Sequence, residues 1–132
     1  MRTVSISLSI LAAALAAACG SSDDGGCVTS AAVSVTATTA TPSSLRVCAN
    51  GTVTFTNAAA VDVQIASAPH PTHTDCPELN SGVLTPAQTF TATMVTLRTC
   101  GYHDHISATQ PPPALGTIAV VASGGGGGGG GY

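Results

Sequence analysis

Threonine alternates with apolar residues along this chain in one stretch after another. Val53 and Phe55 are interleaved with Thr52, Thr54 and Thr56, and Phe90, Ala92 and Met94 with Thr89, Thr91 and Thr93. Val61, Val63 and Ile65 alternate with Asp62 and Gln64; Ala31, Val33, Val35 and Ala37 share one parity; Ile118 and Val120 follow Gly116. A period of two puts the apolar set on one face of an extended strand, and β-branched residues suit that backbone. Turn residues fall between the stretches, at Thr41-Pro42-Ser43, Ala49-Asn50-Gly51, Asn80-Ser81-Gly82 and Gln110-Pro111-Pro112-Pro113. About seven short strands punctuated in this way predict an all-β, two-sheet sandwich. Aromatic side chains are few, so Ala and Val must fill much of the interior, and disulfides would matter to its stability.

The ends of the chain read differently. Arg2 precedes an apolar run from Val4 to Ala18, too short to span a bilayer comfortably, with small residues before Cys19. Residues 1–18 are expected to be a signal peptide. Leu15-Ala16-Ala17-Ala18-Cys19 resembles a bacterial lipobox, with Leu15 one place further from the cysteine than usual. Cys19 is the expected lipidation site, residues 19–26 a lipidated flexible tether, and Gly20 resembles an outer-membrane sorting signal. An ordinary signal peptide cut nearby is the competing reading. Residues 27–123 form the expected β-domain, and 124–132, eight glycines and Tyr132, a disordered tail. The predicted location is the periplasm of a Gram-negative envelope, anchored to the outer membrane.

Five cysteines fit this picture. If Cys19 carries lipid, then Cys27, Cys48, Cys76 and Cys100 remain, an even number that predicts two disulfides in an oxidising compartment. Three pairings are open. After cleavage Arg46 and Arg98 are the only cations, against six acidic residues, which leaves the mature chain near −4. Nucleic-acid binding needs a basic stripe and finds none here.

All four histidines lie in two clusters, His70-Pro71-Thr72-His73 and His103-Asp104-His105. A lone histidine is usually a surface or hydrogen-bonded residue; the clustering is what points to a metal. On a strand, His103 and His105 would project to one face, with Tyr102 and Asp104 on the other. Pro69 and Pro71 restrict the backbone around His70 and reduce the entropy lost in arranging ligands. Imidazoles favour copper or, as the alternative, zinc over hard cations, and Asp75 and Asp104 are candidates to add a ligand or orient a ring. Oxidised cysteines would leave no thiolate, which predicts type-2 copper or zinc. No Ser/His/Asp constellation accompanies the clusters, so no catalytic residue is named.

An ordered set of segments resembles the cupredoxin domain of plastocyanin-like proteins. It comprises Gly51-Thr52-Val53-Thr54-Phe55-Thr56-Asn57, Gly82 to Phe90 with Ala87 in a glycine place, Tyr102-His103, and Gly116-Thr117-Ile118-Ala119-Val120. The resemblance covers roughly residues 33 to 122 and implies a Greek-key β-sandwich with metal chemistry at one end. Its blue-copper ligand pattern, slid along this chain, places the first histidine near Val63, the thiolate at Asp104, the second histidine near Ser107 and the axial group near Gln110. None carries the expected residue. Cys100 comes four residues too early and reads instead as a disulfide cysteine with Cys76, leaving Cys27 for Cys48. A Cys76–Cys100 bond would hold the two histidine clusters together, Cys76 being three residues from His73 and Cys100 three from His103. Met94 belongs to the core rather than to an axial position.

The chain is thus similar to a divergent bacterial branch of cupredoxin-like domains in which histidine clusters replace the usual ligands. The expectation is an exported, membrane-anchored module that binds copper through His70, His73, His103 and His105 for sequestration or delivery. Its partners would be the metal ion and, through the lipid, the membrane; no protein partner is identified. The alternatives are a copper or zinc enzyme with an open coordination position, and a structural lipoprotein without metal.

Overall fold

The computed structural model describes residues 26–124. The leader over 1–18, Cys19, the tether up to residue 25 and the tail from residue 125 lie outside the described residues. Seven strands run in the order β1 (Val28–Val35), β2 (Ala40–Thr41), β3 (Ser44–Asn57), β4 (Ile65–Ser67), β5 (Thr89–Met94), β6 (Thr99–Asp104) and β7 (Ala114–Val121). The described residues contain no α-helix; a single 3₁₀ turn, Pro77–Leu79, lies between β4 and β5. The fold is the expected all-β Greek-key sandwich.

Strand β3 organises it. Its second half pairs in parallel with β1, Val33 opposite Phe55, and antiparallel with β5, where Phe55 faces Phe90. Its first half pairs in parallel with β7, Val47 beside Val120. From β7 the second layer continues through β6 to β4. The strand changes layers around Asn50, which adopts a left-handed φ of 66°. At Gly51 a β-carbon would meet the Cys48 carbonyl oxygen and Val47 Cγ1, both at 2.8 Å. Only glycine permits that approach without a shift.

The alternation resolves as predicted across most of these strands. Val33, Val35, Val53, Phe55, Ala92 and Met94 face inward from the first layer, and Val47, Ile65, Tyr102, Ile118 and Val120 from the second. The rings of Phe55 and Tyr102 meet edge to face, centroids 5.3 Å apart. On the outer face Thr52, Thr54 and Thr56 stand opposite Thr93, Thr91 and Thr89, and the hydroxyls of Thr54 and Thr91 are 2.9 Å apart. Such cross-strand pairs stabilise a sheet by a few tenths of a kcal/mol each, up to about 1.

One stretch departs from the expected strand. Val63 makes only an isolated bridge with Leu84, regular pairing begins at Ile65, and Val61 is exposed. Asn57 is the cause. Its buried side-chain amide donates to the carbonyls of Val61 and Leu84, and its Oδ1 accepts from the Ala59 N–H. These bonds fold residues 57–61 into a turn, competing with extension.

Two disulfides are present, Cys27–Cys48 and Cys76–Cys100, in the pairing expected from the resemblance. The first ties the start of β1 to β3. The second ties β6 to the loop that follows β4.

Candidate metal centre

Strand β6 decides where the histidines go. Tyr102 pairs with Ser67 and Asp104 with Ile65, all four turned inward, while His103 lies opposite Ala66 on the outer side of the layer. The expected parity therefore holds for His103 against Tyr102 and Asp104. It does not extend to His105, because β6 ends at Asp104 and His105 begins a turn. Asp104 Oδ1 accepts from the backbone N–H of Gln64 and of Ile106, which bends the chain there, and the His105 N–H donates to the Gln64 carbonyl at 2.7 Å. His105 is placed by this turn rather than by strand alternation.

The loop after β4 folds over the outer face to meet them. Ala68 N–H donates to the Gly101 carbonyl and Asp75 N–H to the Ala68 carbonyl, closing the loop at its base. Cys76–Cys100 fastens it to β6, and Asn80 Oδ1 accepts from the Ser67 N–H. His73 is held at three points. Its N–H donates to the Pro69 carbonyl, its own carbonyl accepts from Asn80 Nδ2, and its ring Nδ1 lies 2.8 Å from the Ser67 carbonyl. A carbonyl can only accept, so Nδ1 carries the proton and Nε2 is left with its lone pair. Its φ of 53° is left-handed, uncommon for a residue with a side chain.

The four imidazoles thereby converge. One ring nitrogen from each of His70, His73, His103 and His105 lies within 4.8 Å of the others. Ring centroids between the two clusters are 5.5, 5.5, 5.0 and 4.7 Å apart; within them, His70–His73 is 5.4 Å and His103–His105 6.4 Å. Four imidazoles holding one ion tetrahedrally at roughly 2 Å would place their centroids about 5 Å apart. The array is such a tetrahedron stretched along the His103–His105 edge. Closing the nitrogens to bonding distance needs movements of an ångström or so.

Three nitrogens here have no hydrogen-bond partner although they are buried: His73 Nε2, His103 Nε2 and His105 Nδ1. Buried polar atoms are normally satisfied, and an unpaired one costs about 1–3 kcal/mol. Three orphans in one cluster, each a lone-pair donor in the right tautomer, fit a cation. Burial, and then the neighbouring rings of His73, His70 and His105, push the His103 pKa below its ordinary value, against the opposing pull of Asp104. That keeps His103 in the neutral form a metal requires.

The two aspartates stand apart from this array. Asp75 pairs with Arg98 at 3.6 Å on the surface, and Arg98 also donates to the Asp75 carbonyl. Asp104 is buried on the inner side with Gln64 and Ile106 as partners, so it shapes the turn that carries His105. Val63 and Met94 are fully buried in the core, and Gln110 Nε2 donates to the Ser107 carbonyl. No sequence signal marks Ser67 and Asn80, which orient His73 through a backbone carbonyl and a side-chain amide; such roles depend on loop geometry alone.

No family model and no curated protein matches the sequence. Solved structures do match the fold. A purple cupredoxin from Nitrosopumilus maritimus is 17% identical, with a TM-score of 0.54, over 68% of this chain and 98% of that one. Dithionite-reduced auracyanin from Roseiflexus castenholzii is 16% identical, with a TM-score of 0.51, over 73% and 99%. Oxidised plastocyanin from Dryopteris crassirhizoma is 21% identical, with a TM-score of 0.50, over 67% and 98%. The chain has the cupredoxin fold.

Proposed function

We propose that this protein is an exported, lipid-anchored copper-binding module that holds one Cu(II) ion through His70, His73, His103 and His105, for sequestration or delivery. The observation that carries the reading is the set of three buried, unpartnered ring nitrogens turned into one cluster. Both cysteine pairs that could offer sulfur near the sheets are disulfides, so the donors are all nitrogen. Among divalent first-row ions such a nitrogen donor set holds Cu(II) most tightly. Zn(II) is the competing ion, since four near-tetrahedral imidazoles also meet its preference. The sequence features at Cys19 support the anchor, and the envelope is where two disulfides persist.

In this reading the site stands on the outer face of β6, under the loop after β4. The place where the fold's blue-copper thiolate would fall is Asp104, whose side chain points to the opposite side. Copper and zinc content of protein purified without chelator, compared between the wild type and the His103→Ala/His105→Ala variant, tests it. About one copper in the wild type and none in the variant is expected; equal content in both rejects the site.

A further inference from the structure

The four histidines are not equivalent. His73 is fixed by three hydrogen bonds, His103 by its place in a paired strand, and His105 by the bond of its N–H to Gln64. Each of these three presents a buried nitrogen without a partner. His70 differs on every count. It is solvent-exposed, its nitrogen is not among the buried orphans, and its ring makes no hydrogen bond among the described residues. It lies at the apex of the turn that His73 N–H and Thr72 Oγ1 close on the Pro69 carbonyl. Its ring already stands at the solvent edge, whereas the ring of His73 is hydrogen-bonded to the Ser67 carbonyl and those of His103 and His105 are buried or half-buried.

We infer that His70 is the exchangeable ligand of this site: His73, His103 and His105 form the resident set, and an incoming neutral nitrogen donor, such as an imidazole, replaces His70 when copper enters or leaves. The inference rests on the copper-binding reading above. The step is a substitution without electron transfer. One nitrogen–metal bond forms as the His70 bond breaks, and a neutral imidazole leaves as a neutral imidazole arrives, so charge and protons balance. A ring at the solvent edge can be displaced while three fixed donors keep the ion in place, which makes handover possible without opening the loop.

The test uses the full chain loaded with one equivalent of Cu(II), as wild type, His70→Ala and His103→Ala. EPR spectra are recorded with and without added imidazole, and copper release to excess EDTA is followed by stopped flow. His70→Ala is expected to keep one copper, to show altered copper hyperfine parameters that imidazole returns to those of the wild type, and to release copper about tenfold faster or more, the lower end of what disturbing even an outer partner of a metal site does. His103→Ala is expected to lose stoichiometric binding, with no recovery by imidazole. Loss of copper from His70→Ala as complete as from His103→Ala, or a spectrum and release rate unchanged from wild type, overturns the inference. Absence of stoichiometric copper in the wild type overturns the copper-binding reading itself, a result distinct from either.

Discussion

Ala87 has a left-handed φ of 69°, at the position where the family resemblance has glycine, and its N–H is held by the Asn57 carbonyl. An L-residue is strained there by roughly 1–2 kcal/mol, part of which is offset by the greater flexibility of glycine in the unfolded chain. Ala87→Gly is therefore expected to stabilise the domain by up to about 1 kcal/mol, measured by urea unfolding; a loss of stability would contradict the assignment of strain. His103 gives a prediction in pH. Burial first, then the neighbouring imidazoles, hold its folded pKa below the ordinary value of 6.5. The unfolded chain then binds more protons below that value, so stability present above pH 6.5 is lost as pH falls through the depressed His103 pKa. Melting curves of metal-free protein should show this acid loss, and His103→Gln should reduce it. An identical pH profile for the two proteins would exclude His103 as its source. His103 itself was legible in the sequence as part of a cluster. Its burial was not, because that depends on a loop more than twenty residues earlier folding over it.

The two disulfides make a matched pair of experiments at the level of the element. They close segments of similar length, with separations of 21 and 24 residues, so each is expected to contribute about 3 kcal/mol to stability. Only Cys76–Cys100 joins the histidine loop to β6. Cys76→Ala/Cys100→Ala should lower both stability and copper affinity, whereas Cys27→Ala/Cys48→Ala should lower stability and leave the affinity of the folded protein nearly unchanged. Equal losses of affinity in calorimetric titrations would remove the clamp from the account. The strands with clean alternation, β1, β5, β7 and the second half of β3, were legible from period two alone, because one face is buried and the other wet; the first half of β3 was not, since the strand continues through Ala49-Asn50-Gly51, where a turn was expected. Strand β4 was not. Ile65, Ala66 and Ser67 are all buried, since the loop after β4 covers the face that alternation would leave exposed, and the Asn57 turn removes Val61 from the pattern. The turn at Asp104 likewise ended β6 one residue before His105, which strand periodicity had no means of indicating.

For the whole molecule, a cupredoxin fold combined with a histidine site on the outer face of one layer separates scaffold from chemistry, as folds in general do not determine function. The anchor proposed at Cys19 predicts that Cys19→Ser moves the protein from the membrane fraction to the soluble fraction of the envelope, checked by fractionation and immunoblotting; unchanged partition would reject lipidation there. Copper should also raise the melting temperature, because an ion that binds only the folded state stabilises it by mass action. The account stands or falls on the donor set. The most direct measurement is the EPR spectrum of the full chain with one equivalent of Cu(II), taken with its visible absorption. The account predicts a type-2 signal with nitrogen superhyperfine structure, no intense thiolate-to-copper band, and loss of that signal in His103→Ala/His105→Ala. An intense thiolate band, or the same signal in wild type and variant, would contradict it.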